Sequence, residues 1–290
     1  MQKHKRNRRT RRTRRRSRKQ RGGSIIPICI YSHSEFFDIL QIQFDYLTKL
    51  FKGTGQTIYI FADKNFEGPT DLAYTMILYD GATQYMQRLA ACIEQVPAAY
   101  LIVSHENDIL LQYDTSAMNA LVATMKEHQI DSVDLKHNDT SEERIEVTPT
   151  LFVSNVTNPF TFRVQPRLWK KESAIKFFSA NPTTTYRRAE NTNVQASIKS
   201  QKQKTYEAYS ANSIPSWYFA VHNGIPEYLF IHITNGNKFV PMPQIKGVTV
   251  NPIVQKELDA IQKKYIDVPQ AKREQADANF DPYNEVYNVA

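Results

Sequence analysis

Four short apolar runs, separated by stretches of helical periodicity, constrain this chain more than any other feature. Residues 25–31 (IIPICIY), 57–61 (TIYIF), 73–79 (AYTMILY) and 100–103 (YLIV) are continuous in hydrophobicity rather than alternating. A strand with one wet face alternates, so an unbroken run of this length fits a strand covered on both faces. The segments between supply the covers. Phe36, Phe37, Leu40, Phe44 and Leu47 recur near helical spacing up to Phe51, where Lys52-Gly53-Thr54-Gly55 breaks the pattern. Met86, Leu89, Ala90, Ile93 and Val96 share one helical face ahead of Pro97, and the turn Asp80-Gly81-Ala82-Thr83 stands where it can cap that helix. Met118, Leu121, Val122 and Met125 do the same within 115–128. Strand and helix in alternation predict an α/β fold with a mostly parallel sheet flanked by helices.

The second half is less regular. The pattern predicts strands at 160–164, 217–221 and 228–233, helices at 169–178, 188–204 and 253–265, a loop at 181–185 and a turn at 235–237. No internal repeat is visible. Charge divides the chain unevenly. Residues 1–21 carry 13 of the 37 Lys and Arg and no acid, which leaves 24 basic against 29 acidic residues elsewhere, a net of −5. The expected organisation is therefore a disordered basic tail (1–23), a mildly acidic α/β domain (24–266) and a loosely ordered C-terminal tail (267–290).

Several classes are excluded. No apolar run approaches the ~18 residues of a membrane span. The basic leader lacks an apolar stretch before a cleavage site, so no secretory signal is expected. Cys29 and Cys92, the only cysteines, make neither a disulfide framework nor a zinc site and read as buried thiols in a reducing compartment. Walker, GxGxxG, GxSxG and HExxH patterns are absent.

Chemistry is expected beyond the carboxyl ends of the strands, where open α/β sheets bind ligands. Three segments qualify: 32–35, 80–88 and 105–108. In the third, Glu106, Asn107 and Asp108 follow a buried strand. Such hard oxygen donors suit Mg2+ or Mn2+, and equally a solvated polar turn. Tyr85 and Arg88 open a helix and could meet a base and a phosphate. His33 could face the same crevice, whereas His222 and His232 fall on apolar strands and read as structural. Glu190 follows a threonine-rich loop beside Arg187 and Arg188. It reads as a general base or, more simply, as a first-turn acid on a helix N-terminus.

The segments YSHSEFFDILQIQFDYL, LYDGATQYMQRL, AYLIVSHENDILLQYD, FRVQPRLWKKESAIKFF and YRRAENTNV, with HNGIPEYLFIHITNGNKF near the end, resemble a GT-A-type glycosyltransferase of the kind encoded by giant nucleocytoplasmic large DNA viruses. The resemblance covers roughly 25–265. It implies a GT-A-like, Rossmann-like sheet and transfer of a sugar from a nucleotide-sugar donor, UDP-linked, to a glycan or protein hydroxyl. It implies Mn2+ or Mg2+ held by Glu106, Asn107 and Asp108. Ser32, His33, Asp80, Tyr85 and Arg88 would line the nucleotide pocket. Gln165, Pro166 and Trp169 would form the acceptor side, and Glu190 and Asp108 are the candidate catalytic carboxylates. The family has Asp where Asn107 stands, with Asp108 one place on, and an aromatic residue where Arg188-Ala189 precede Glu190. These departures motivate one alternative, a folded but inactive homologue. A second alternative is a viral protein acting through nonspecific nucleic-acid contact by residues 1–21. The expected location is host cytoplasm, at the viral factory, or the virion.

Overall fold

The computed structural model describes residues 25–135, 145–148, 151–153, 162, 164–189, 194, 196, 200, 201, 205–208, 228–235, 238–239 and 252–267. The basic tail, residues 268–290 of the C-terminal tail, the predicted strand at 217–221, His222 and Glu190 lie outside them, as does most of the predicted strand at 160–164 and helix at 188–204.

The four apolar runs form β1 (Ile28–Tyr31), β2 (Ile58–Ala62), β3 (Thr75–Leu78) and β4 (Tyr100–His105). They lie side by side in the order β3-β2-β1-β4, all parallel. Beyond β4 the sheet continues through β9 (Arg167–Lys170), β6 (Ser132–Asp134), β10 (Thr205–Ala208), β8 (Leu151–Val153) and β7 (Ile145–Thr148). Only β8 and β9 run against the other seven, so the sheet is mostly parallel.

Alternate residues of the parallel strands enter different layers, as a pleat requires. Ile28, Ile30, Ile58, Ile60 and Ile102 pack with Leu40, Phe44 and Leu47 of α1 (Phe37–Phe51) and with Met118, Val122 and Met125 of α3 (Thr115–Glu127). Cys29, Tyr31, Phe61, Leu101 and Val103 pack on the other face with Met86, Leu89 and Ile93 of α2 (Tyr85–Glu94) and with Ala174, Phe177 and Phe178 of α4 (Lys171–Ser179). Both thiols are buried, which pushes Cys92 up to about 12 and also raises Cys29, beside which Cys92 lies.

Helix α1 is buried on a second side too. Ile39, Ile42 and Tyr46 meet a small antiparallel sheet of β5 (Asp108–Tyr113) and β11 (Tyr228–His232), closed over by Leu258 and Ile261 of α5 (Pro252–Ile261). A two-strand turn, β12 (Thr234–Asn235) with β13 (Lys238–Phe239), follows β11.

Two expectations change. The helix predicted from 169 starts at Lys171, and Trp169 belongs to β9 between β4 and β6. Its indole is 1% exposed and stacks on Phe177 at 5.6 Å, so aromatic packing in the sheet overrides the helical pattern. Asp80 does not cap α2. Its carboxylate accepts from the Ala82 amide and closes its own turn, while Gln84 occupies the cap position.

One buried ion pair crosses neighbouring strands. Arg167 donates to Asp134 at 3.0 Å and to the Ser132 hydroxyl at 3.1 Å, all three inside the sheet. Removing one partner leaves the other charge uncompensated. Arg167→Ala should therefore lower unfolding free energy by about 3–5 kcal/mol in urea titrations. The double replacement Arg167→Met with Asp134→Leu should recover most of that loss.

Candidate functional site

β2 and β3 step away from β1 on one side and β4 lies on the other, so strand order reverses between β1 and β4. That reversal opens the crevice in which α/β sheets receive ligands. The last residues of the two strands, Tyr31 and His105, are in register, so the segments that follow emerge together. Glu106 donates its amide to the Tyr31 carbonyl at 3.2 Å, and Ser32 donates to the Phe61 carbonyl at 2.8 Å.

The Glu106-Asn107 turn joins the large sheet to the small one. Glu106 is 7% exposed. The Asn107 carbonyl accepts from the Ile233 amide at 3.0 Å, and its side-chain amide reaches the Thr234 carbonyl at 3.4 Å. Asp108 is the first residue of β5 and 1% exposed, opposite His232, whose Nδ1 lies 3.1 Å from its carboxylate. The acidic segment is thus buried rather than directed into bulk water.

A series of rings clusters at the carboxyl ends of β1 and β4. Tyr31 stacks on Tyr79 at 5.1 Å and meets Tyr85 edge-on at 5.2 Å and His105 at 5.6 Å. Tyr85 and His105 both contact Tyr186. The Tyr79 hydroxyl donates to the Ser32 carbonyl at 2.7 Å. Arg88 reaches the Tyr31 hydroxyl at 3.2 Å and the Gly81 carbonyl, with its guanidinium 5.0 Å from the centre of the Tyr79 ring. Tyr85 is buried and spends its hydroxyl on His105 at 2.9 Å, so in this arrangement it packs within the protein.

At the end of β2, Asp63 receives the Ser34 amide and hydroxyl, each at 2.7 Å, with His33 at 3.4 Å. Burial opposes its ionisation, but these donors and the nearby imidazole hold the carboxyl below the ordinary range. Sequence reading missed Asp63, although its place just after an apolar run was a usable signal. Tyr31 and Tyr79 were hidden inside such runs.

The acceptor-side expectation divides. Trp169 lies opposite Leu101, near the amino end of β4, and belongs to the core. Gln165 precedes β9, and since Val103 faces Arg167, the antiparallel course carries it toward the carboxyl end of β4. The side-chain oxygens of Gln165, Asn107 and Ser32 and the Nδ1 of His105 are buried and make no hydrogen bond among the described residues. Such atoms are natural ligand or solvent contacts.

Among the described residues no three His, Cys, Asp or Glu side chains assemble as a metal-binding group. Mg2+ commonly uses one or two protein carboxylates and takes its other ligands from phosphate and water. Glu106 with the unpartnered Asn107 oxygen fits that demand, whereas Asp108 is engaged by His232.

Strand order and the polar residues beyond β1, β2 and β4 define an α/β protein with a candidate site at its topological switch point. Solved structures superpose on part of it. Staphylococcus aureus TarS 1–349 in complex with UDP-GlcNAc matches with a TM-score of 0.42 and 9% identity, over 63% of this chain and 56% of that one. The mannosyltransferase PcManGT from Pyrobaculum calidifontis, in complex with GDP-Man and Mn2+, gives 0.40 and 9%, over 65% and 57%. A UDP-glucose pyrophosphorylase complexed with UDP-glucose gives 0.42 and 8%, over 64% and 90%. The chain spans little more than half the length of the first two, and likeness at this level assigns it no activity. No family model and no curated protein matches the chain.

Burial holds His105 at about 4, below its ordinary 6.5, despite the opposing pull of Asp108. The unfolded chain therefore takes up this proton first as pH falls. The stability it supports is whole above about pH 6.5 and lost by about pH 4, on the order of 3 kcal/mol. Urea unfolding across that window, with chelator present, should show a shallower slope for His105→Gln than for the parent.

Proposed function

We propose that this chain is a metal-assisted glycosyltransferase of GT-A type, moving a sugar from a UDP-linked donor to a hydroxyl on a glycan or protein acceptor. The observation that carries the reading is the emergence of the Glu106-Asn107 turn, with Glu106 buried, beside Ser32 at the β1–β4 reversal, together with the motif resemblance. Ser32 and His33 line the nucleotide, and Asp80 shapes the turn before α2. Arg88 presents its guanidinium to phosphate from the Tyr79 face. Glu106 and Asn107 are the residues that would hold Mn2+ or Mg2+. An ion bound there would supply positive charge against the departing diphosphate. Asp108, against His232, fixes the turn that carries them. Gln165 contributes an acceptor-side carbonyl oxygen. Glu190 removes the proton from the acceptor hydroxyl if the reaction inverts the anomeric centre.

The test is UDP release from a panel of UDP-sugars with Mn2+, using the full-length chain. Glu106→Ala should lower turnover by about 10²-fold or more, and chelation should abolish it. Full turnover in that variant would remove Glu106 from the role. The rival reading rests on the 13 basic residues of 1–21. It expects no UDP release, and salt-dependent DNA binding that disappears when 1–23 are deleted.

A further inference from the structure

We propose that Tyr186 is the platform on which the sugar ring of the acceptor packs. The inference rests on the transferase reading above and names the acceptor chemistry of the same site. Three large apolar or aromatic side chains stand open to solvent among the described residues: Ile25, Leu78 and Tyr186. Leu78 lies on β3, the strand at one end of the large sheet. Tyr186 stands at the crevice, 47% exposed, over the last residue of β4.

Its exposure is not that of a loose side chain. The ring meets Tyr85 edge-on at 5.2 Å and 89°, and His105 at 5.6 Å and 64°. Both supports are buried and joined by their own 2.9 Å hydrogen bond. The backbone is fixed as well. Thr184 accepts from the Met86 amide of α2 at 3.4 Å, Thr185 and Tyr186 accept from Arg188 and Ala189 at 3.1 Å, and Ala189 is fully buried. An aromatic face held in place before binding needs little ordering when a ligand arrives.

Position selects the ligand. The ring series begins at Tyr79 and Tyr31, where Arg88 supplies positive charge, and ends at Tyr186 beyond His105. A nucleotide diphosphate belongs between Arg88 and the acidic turn. Tyr186 packs on His105, the residue before that turn, so its exposed face adjoins the reacting end of the donor, where an acceptor ring with one C–H face and a rim of hydroxyls would pack. Thr185 and Arg188, exposed in the same turn, bring polar groups to that rim.

The test uses full-length Tyr186→Trp, Tyr186→Ala and Tyr186→Phe. Methyl glucoside, methyl galactoside and methyl mannoside serve as probes, with UDP as the competing chemistry. The Trp variant should show a saturable fluorescence change with a methyl pyranoside and none with UDP, against the parent's background of two tryptophans. Saturation transfer from protein to the pyranoside C–H face should fall in the Ala variant and persist in the Phe variant. The ratio of sugar transfer to donor hydrolysis should fall about tenfold in Tyr186→Ala and hold in Tyr186→Phe. A purely structural role would lower both rates and leave their ratio alone. Equal saturation transfer in the Ala variant, or a fluorescence response to UDP alone, overturns the proposal. A parent chain that releases no UDP overturns the transferase reading instead, while the pyranoside titration still decides the platform.

Discussion

The parallel pairing of β1 with β4 is the contact on which the rest of the molecule depends. Ile28, Cys29 and Ile30 are fully buried between two helical layers, with a strand on either edge. Each buried isoleucine contributes about 1.5–3 kcal/mol relative to exposure. Register matters more than the sum. A slip of one residue would turn Cys29 and Tyr31 toward α1 and send Ile28 and Ile30 toward α2. It would also separate Tyr31 from His105, and with them Ser32 from the acidic turn.

Polar burial is managed differently in two places. At the end of β6, Arg167 and Asp134 neutralise each other across adjacent strands. Around the ends of β1 and β4, Ser32, His105, Asn107 and Gln165 each bury a polar atom that no described residue satisfies. An unsatisfied buried group costs about 1–3 kcal/mol. Several such groups lie close to the strand-order reversal between β1 and β4.

The parallel half of the sheet was legible because its signal is local. Runs such as TIYIF and YLIV have their helical covers next to them in the chain, and α1, α2 and α3 fall where periodicity predicts. Long-range pairing was not legible. Residues 108–113 become a strand because 228–232 lie against them, more than a hundred residues away, and no feature of DILLQY announces that partner. Trp169 misled for a related reason, since KESAIKFF after it is helical and the pattern ran back across the boundary. At the site, the general locations followed from the strand-end rule. The pairings of Asp108 with His232 and Asp63 with Ser34 did not, because each joins elements that only tertiary structure brings together.

Only two residues separate β4 from β5, and that brevity has a mechanical consequence. The large sheet ends at His105 and the small sheet starts at Asp108, so Glu106 and Asn107 form a rigid joint between two bodies that both clasp α1. There is no slack to absorb a tilt of the small sheet. A tilt of the small sheet against α1 would therefore have to move the backbone of Glu106 with it.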